Sequence, residues 1–226
     1  MKEKALVFDS GSIINFSMNG SLDILTKLKK VFKGKFLITE DVKNEIIKRP
    51  LNIKKFKLGA LKIQSLLNEG VIEMPSSLGI KDSQIENKVH EILETSNKTF
   101  FASERYIHLI DRGEASSLVL SELLSEKGIK NLIVIDERTT RMLCEKPENL
   151  HKLLETKLHT KIRVKEENFS RFLKFKFIRS CELMYIAYKK GLVDLKNGNV
   201  LDALLYAVKY RGCSVSRNEI EEMKRL

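Results

Sequence analysis

The stretch Leu132-Ile133-Val134-Ile135-Asp136 decides how this chain reads. An unbroken apolar run rich in β-branched residues marks a strand buried on both faces, as in a parallel sheet. The aspartate ends it. The same pattern stands near the N-terminus, where Ala5-Leu6-Val7-Phe8 runs into the polar turn Asp9-Ser10-Gly11-Ser12. A third short run, Phe36-Leu37-Ile38, leads into Thr39. Helical spacing lies between them. Leu22, Leu25, Leu28 and Phe32 share one face, with Ser21 as N-cap and Gly34 as stop. Thr39 caps the next helix, with Glu40 and Asp41 in its first turn and Val42, Ile46 and Ile47 inward; it is expected to end before Pro50. Residues 56–68 form a third helix. Asp82 caps a fourth, which carries Ile85, Val89, Ile92 and Leu93. Residues 112–127 form a strong one that stops at Gly128, and a short one spans 139–144. Residues 71–75 read as a strand or edge segment, 96–105 as a polar loop and 160–164 as a last strand. The alternation predicts an α/β fold: three layers, with a central parallel sheet flanked by helices. From about residue 168 only helices are expected, at 169–190, 200–210 and 218–226. The predicted organisation is therefore an α/β domain over 1–165 and a C-terminal helical extension over 166–226, packed on that core.

The chain has 226 residues, enough for one large core plus an appendage. With 11 glycines and 3 prolines it is neither collagenous nor of low complexity. Lysine and arginine total 41 against 30 acids, a net charge of +11, which attracts phosphate polymers or anionic surfaces at long range. Cys144, Cys181 and Cys213 are widely spaced and lack a metal or disulfide pattern, so each reads as a buried small apolar residue. Asp9 interrupts the first apolar run, so it is no signal peptide, and no run approaches the ~20 residues of a membrane span. The expectation is a cytoplasmic protein with no membrane partner. His90, His108, His151 and His159 show no ligand spacing and read as structural or surface residues.

In open parallel sheets, ligands sit beyond the carboxyl ends of the strands. Asp9 and Asp136 each follow an apolar strand, so both carboxylates meet on one rim if the strands are neighbours. Glu45 lies on the polar side of the helix after the second strand, and Glu114 opens the helix that feeds the strand ending at Asp136. Taken singly, each has an ordinary reading: turn former, N-cap, solvated helix residue or acid complementing a helix dipole. Taken together they repel one another, which is tolerated where divalent cations neutralise them. Asp111 and Glu137 adjoin two of these acids and are alternatives to them.

The order and context of the four acids resemble the PIN-domain metal-dependent ribonucleases. Leu6-Val7-Phe8-Asp9-Ser10-Gly11-Ser12-Ile13-Ile14 resembles that family's opening strand, aspartate, hydroxyl residue and apolar pair. Ile38-Thr39-Glu40-Asp41-Val42-Lys43-Asn44-Glu45-Ile46 resembles its second motif. Arg112-Gly113-Glu114-Ala115-Ser116-Ser117-Leu118 looks like the third, in the glycine-glutamate form of one prokaryotic branch. Leu132 to Arg138, with Arg141, looks like the fourth. The resemblance covers roughly residues 4–165. No single motif is specific; the ordered set is more so. The segment 81–110 and the C-terminal helices are longer than a compact PIN domain needs. Leu201-Asp202-Ala203-Leu204 looks superficially like another third motif, but Asp202 follows Asp136 and reads as a helix residue or N-cap.

The resemblance implies a PIN-like fold and hydrolysis of RNA phosphodiester bonds with Mg2+ or Mn2+. It implies Asp9 and Asp136 as core ligands, and Glu45 and Glu114 as holders of a second metal or its waters. Hard oxygen ligands suit these ions, which lower the pKa of a bound water. Ser10, Arg138, Arg141, Lys48 and Arg49 are the candidate RNA-binding residues, and phosphate neutralisation predicts binding that falls with salt. Lys54, Lys55 and Lys57 read as a solvated face, and the phenylalanines of 168–177 as the buried side of a helix that also offers a homodimer surface. The implied partner is single-stranded RNA, with an antitoxin or a ribosomal partner beside it, in a toxin–antitoxin or RNA-processing setting. The alternative is an RNA- or ribosome-binding module on a PIN-like scaffold with little or no catalysis. A flavodoxin- or receiver-like domain binding a small phosphate ligand is a third reading, opposed by the isolation of Gly11 in the first turn.

Overall fold

The computed structural model describes residues 3–195 and 197–226. β1 (Lys4–Phe8) runs directly into α1 (Ser10–Met18), and α2 (Leu22–Phe32) leads to β2 (Lys35–Leu37). Then come α3 (Glu40–Lys43), a π-helical turn over Asn44–Lys48, α4 (Arg49–Leu51), α5 (Lys57–Asn68) and, after a short 3-10 turn, α6 (Asp82–Asn97). β3 (Phe100–Ala102) and β4 (Arg105–Tyr106) precede α7 (Arg112–Glu126), β5 (Lys130–Val134), α8 (Arg138–Glu145) and α9 (Pro147–Leu158). The chain closes with β6 (Arg163–Val164), a 3-10 turn over Glu166–Arg171, β7 (Phe177–Ile178), α10 (Ser180–Lys189), α11 (Val200–Tyr210) and α12 (Arg217–Arg225).

The main sheet has the order β2-β1-β5-β7, and every pairing in it is parallel. Residue Glu73 extends its β2 edge by one parallel bridge to Leu37. Side-chain alternation along β1 explains the layers. Leu6 and Phe8 face a cluster built with Phe16, Leu25, Ile46, Met184 and Leu205. Ala5 and Val7 face another, built with Val89, Val119, Leu143 and Leu150. Both faces of the sheet are thus covered by helices, the mixed α/β arrangement that the apolar runs predict. Cys144, Cys181 and Cys213 are all buried. Among the described residues no helix is long and apolar enough to cross a membrane.

Several local expectations are corrected. The turn expected at 9–12 is the start of α1, because Asp9 itself is the N-cap and accepts from the Gly11 N–H at 3.0 Å. Ser21 makes no side-chain cap; its hydroxyl donates to Phe16 O instead. The helix after Thr39 continues through Pro50 to Leu51. A proline ring crowds the carbonyl four residues back, and the π turn just before it widens the backbone there. The polar loop expected at 96–105 contains the β3–β4 hairpin, turned by Ser103 and Glu104 at φ +48° and +66°. The strand near 160–164 is β6, which pairs antiparallel with β3 in a separate three-stranded sheet of order β4-β3-β6. α9 lies where no element was assigned; Pro147 opens it and Leu150 and Leu154 bury its inner face. The stretch 169–190 is not one helix. It contains β7, which adds the fourth strand to the main sheet, and α10 begins only at Ser180.

Candidate metal centre

β1 and β5 are adjacent, with Phe8 in register with Val134, and the Asp9 N–H continues the ladder to Val134 O at 3.0 Å. The chain builds outward from β1 toward β2 on one side and later toward β5 and β7 on the other. Asp9 and Asp136 therefore sit where the strand order reverses, the usual crevice of an open parallel sheet. Both are buried, at 4% and 3% exposure.

Their surroundings differ. Asp136 is saturated by protein donors. Its Oδ1 accepts from the Ser180 N–H at 2.8 Å, and its Oδ2 from Ser180 Oγ at 2.7 Å and Asn15 Nδ2 at 2.9 Å. Asp9 has one such bond through Oδ2, and its buried Oδ1 has no hydrogen-bond partner. Burial pushes the Asp9 carboxyl up to about 7; Glu45 and Asp136 add to the rise, against the pull of the Gly11 and Ser10 N–H groups.

Glu114 sits in the first turn of α7. Its Oε2 accepts from the Asp111 N–H at 2.8 Å as half of a capping box, and its Oε1 accepts from Thr140 Oγ1 at 3.0 Å. Burial pushes it up to about 8, with the charges of Asp9 and Glu137 adding to the rise. Glu45 comes from the π turn and lies against Gly113. A Cβ at that glycine would stand 2.9 Å from Glu45 Oε1, so the glycine of the Gly113-Glu114 pair is what lets the Glu45 carboxylate approach α7. A hydrogen bond of 2.7 Å between Thr39 Oγ1 and Ser116 Oγ ties the end of β2 to the same turn.

Asp9, Glu45, Glu114 and Asp136 are thus gathered around one rim. Ion pairs are spread over the rest of this basic chain, from Lys29–Glu73 to Arg171–Glu122, yet among the described residues none involves any of these four acids. The two alternatives are engaged elsewhere: Glu137 caps α8 by accepting from the Thr140 N–H, and Asp111 is exposed beside His108. As they stand, no three of the described His, Cys, Asp or Glu side chains converge tightly enough to hold an ion. The donor chemistry nonetheless suits a hard divalent cation, because Asp9 Oδ1 is a buried oxygen with no donor, and the Glu45 and Glu114 carboxylates near it take part in no ion pair among the described residues.

The candidate RNA-binding residues are dispersed. Ser10 begins α1 beside Asp9. Lys48 is paired with Glu40, and Arg49 is exposed on α4. Arg138 and Arg141 line a groove beside α8. Asp202 is a helix residue paired with Lys224 at 2.7 Å. Sequence reasoning missed Asn15, Thr140 and Ser180, the side chains that hold Asp136 and Glu114. Asn15 carried a signal, an amide inside the apolar string Ile13-Ile14-Asn15-Phe16. Thr140 and Ser180 carried none that separates them from ordinary helix residues. No family model, curated protein or solved structure matches the chain.

Proposed function

We propose that the protein is a Mg2+- or Mn2+-dependent endoribonuclease with a PIN-like catalytic rim. The observation that supports this most is Asp9: a buried carboxylate with one oxygen unpartnered, beside Glu45 and Glu114, in a chain of net charge +11. Such a cluster is repulsive without a cation and coherent with one. Asp9, Glu45 and Glu114 would hold the ion, which supplies positive charge for a phosphodiester and acidifies water. Asp136, held by three donors, keeps the β5 end, α1 and α10 in fixed relation and contributes negative charge to the rim. Glu114 is held on two sides, by the Asp111 N–H and by Thr140.

Asp9→Asn tests the reading. The variant should lose manganese-dependent cleavage of single-stranded RNA while its circular dichroism spectrum stays native-like and it still melts cooperatively; full cleavage by the variant would contradict it. The alternative, an RNA-binding module with little catalysis, is favoured by one observation: both oxygens of Asp136 are already occupied by protein donors. On that reading, purified wild-type protein binds RNA and leaves it intact at every metal concentration.

A further inference from the structure

A groove of about 650 Å3 runs between α8 and the α11–α12 connection. It opens beside the carboxylate rim: the N–H of Ser214, on its wall, donates to Asp136 O at 3.0 Å, and Arg138 begins the helix that follows Asp136. Arg138, Arg141 and Lys146 line it from one side. Arg138 and Lys146 are exposed and take part in no ion pair among the described residues. Arg141 is largely buried, its Nε lacks a hydrogen-bond partner, and its nearest acid, Glu145, stands 4.0 Å away. Glu219, the other acid on the lining, is drawn to Arg179 at 2.8 Å. Tyr210 stands on the opposite wall, 71% exposed and stacked on Tyr206 at a centroid distance of 5.9 Å. A lysine cluster at the far end of the sheet (Lys4, Lys130, Lys174, Lys176) offers charge too, but on the amino-terminal side of the strands, away from the carboxylates.

We infer that this groove carries single-stranded RNA to the rim, with an unpaired base stacked on Tyr210 and phosphates held by Arg138, Arg141 and Lys146. The polymer's identity rests on the nuclease reading; the groove's chemistry does not. An exposed aromatic already stacked on a second ring is a platform for any base, and cations along one wall match a backbone of regularly spaced phosphates. A duplex hides its base faces, so the tyrosine selects unpaired strands.

The test is fluorescence anisotropy with a labelled oligouridylate of about 12 nucleotides in EDTA, so that binding is read without cleavage. Tyr210→Ala should weaken binding roughly 10-fold, whereas Tyr210→Phe retains it. Arg138→Ala and Lys146→Ala should each lower the slope of log affinity against log salt by about 0.7. The oligomer annealed to its complement should bind more weakly and be indifferent to Tyr210→Ala. Tyr210 and Lys146 are exposed, and a native melting profile verifies each fold. Unchanged affinity in Tyr210→Ala and Arg138→Ala, or no binding by the wild type, overturns the groove. Binding that depends on these residues but is never followed by cleavage when manganese is added supports the groove and overturns the nuclease reading instead.

Discussion

At the scale of single residues, the carboxylate rim makes a prediction that needs no substrate. Asp9 is held at about 7, above the usual carboxylate range near 3.8. A folded-state value above the unfolded one means that the fold prefers the protonated form. Without metal, stability is greatest below about pH 4 as far as this group is concerned, and declines as pH rises toward 7. Glu114, held near 8, declines over an overlapping window. Asp9→Asn should therefore raise the urea midpoint of the metal-free protein at pH 8, by an amount equivalent to roughly 2–4 kcal/mol, and flatten its pH dependence. A midpoint that falls, or a slope that persists unchanged, would show that the carboxylate is not strained. Gly113→Ala probes the neighbouring contact. Its methyl group displaces Glu45, so cleavage should drop by roughly 10- to 100-fold, with the melting temperature changed little. Measured kcat with stability unaltered is the expected signature. Asp9, Glu114 and Asp136 were legible in the sequence because a carboxylate just past an apolar strand, or at a helix start, is a positional signal; Glu45 has no such position and was singled out only through the motif that its segment resembles. What holds them was not, since the donors to Asp136 come from residues 15 and 180, and no local pattern records a contact over such separations.

At the scale of elements, polar contacts fix how the helices meet the sheet. Asn15 Nδ2 reaches from α1 to Asp136, to Ser180 Oγ at 3.3 Å and to Val208 O at 2.9 Å, so one amide links α1, the end of β5, α10 and α11. Asn15→Leu leaves those acceptors buried with fewer donors and should cost about 2–3 kcal/mol in chemical denaturation; a cost under ~0.5 kcal/mol would deny the link. On the other face, Glu122 of α7 binds Arg171 at 2.6 Å and Lys174 at 3.0 Å. Burial alone would raise its carboxyl, but the bond from Arg171, then that from Lys174, outweighs burial and brings it to about 2. Here the folded value lies below the unfolded one, so the contribution is present above about pH 4.5 and is lost as pH falls toward 2. Glu122→Gln should destabilise the protein at pH 7 by about 1 kcal/mol and by little at pH 2.5. The long helices were legible because each has a strong apolar period, and β1, β2 and β5 because each lies in an unbroken apolar run that ends at a polar residue. β3, β4 and β7 are short and lie in stretches that mix apolar with charged or polar residues, so no apolar run marks them, and Pro50 misleads because a π turn absorbs it.

At the scale of the whole molecule, residues 166–226 do more than cover a finished domain. β7 pairs with β5, Ser180 and Ser214 bond Asp136, and α10 and α11 pack into the same apolar cluster as Phe8 and Phe16. A chain truncated after residue 165 exposes that cluster and leaves Asp136 without two of its three donors. Such a truncation should bind a hydrophobic dye and lose its near-ultraviolet dichroism, whereas a cooperative two-state melt would show that the two parts are separable. The net charge of +11 also acquires a spatial sense: cations line the groove by α8, while the acids at the ends of β1 and β5 stand outside every ion pair among the described residues. The account rests on those acids attracting a cation. Anomalous diffraction from crystals soaked in manganese tests it most directly. A peak beside Asp9 Oδ1, within reach of Glu45 and Glu114 and absent from Asp9→Asn crystals, is the result expected. A wild-type map with no peak at that rim at high manganese concentration would contradict it.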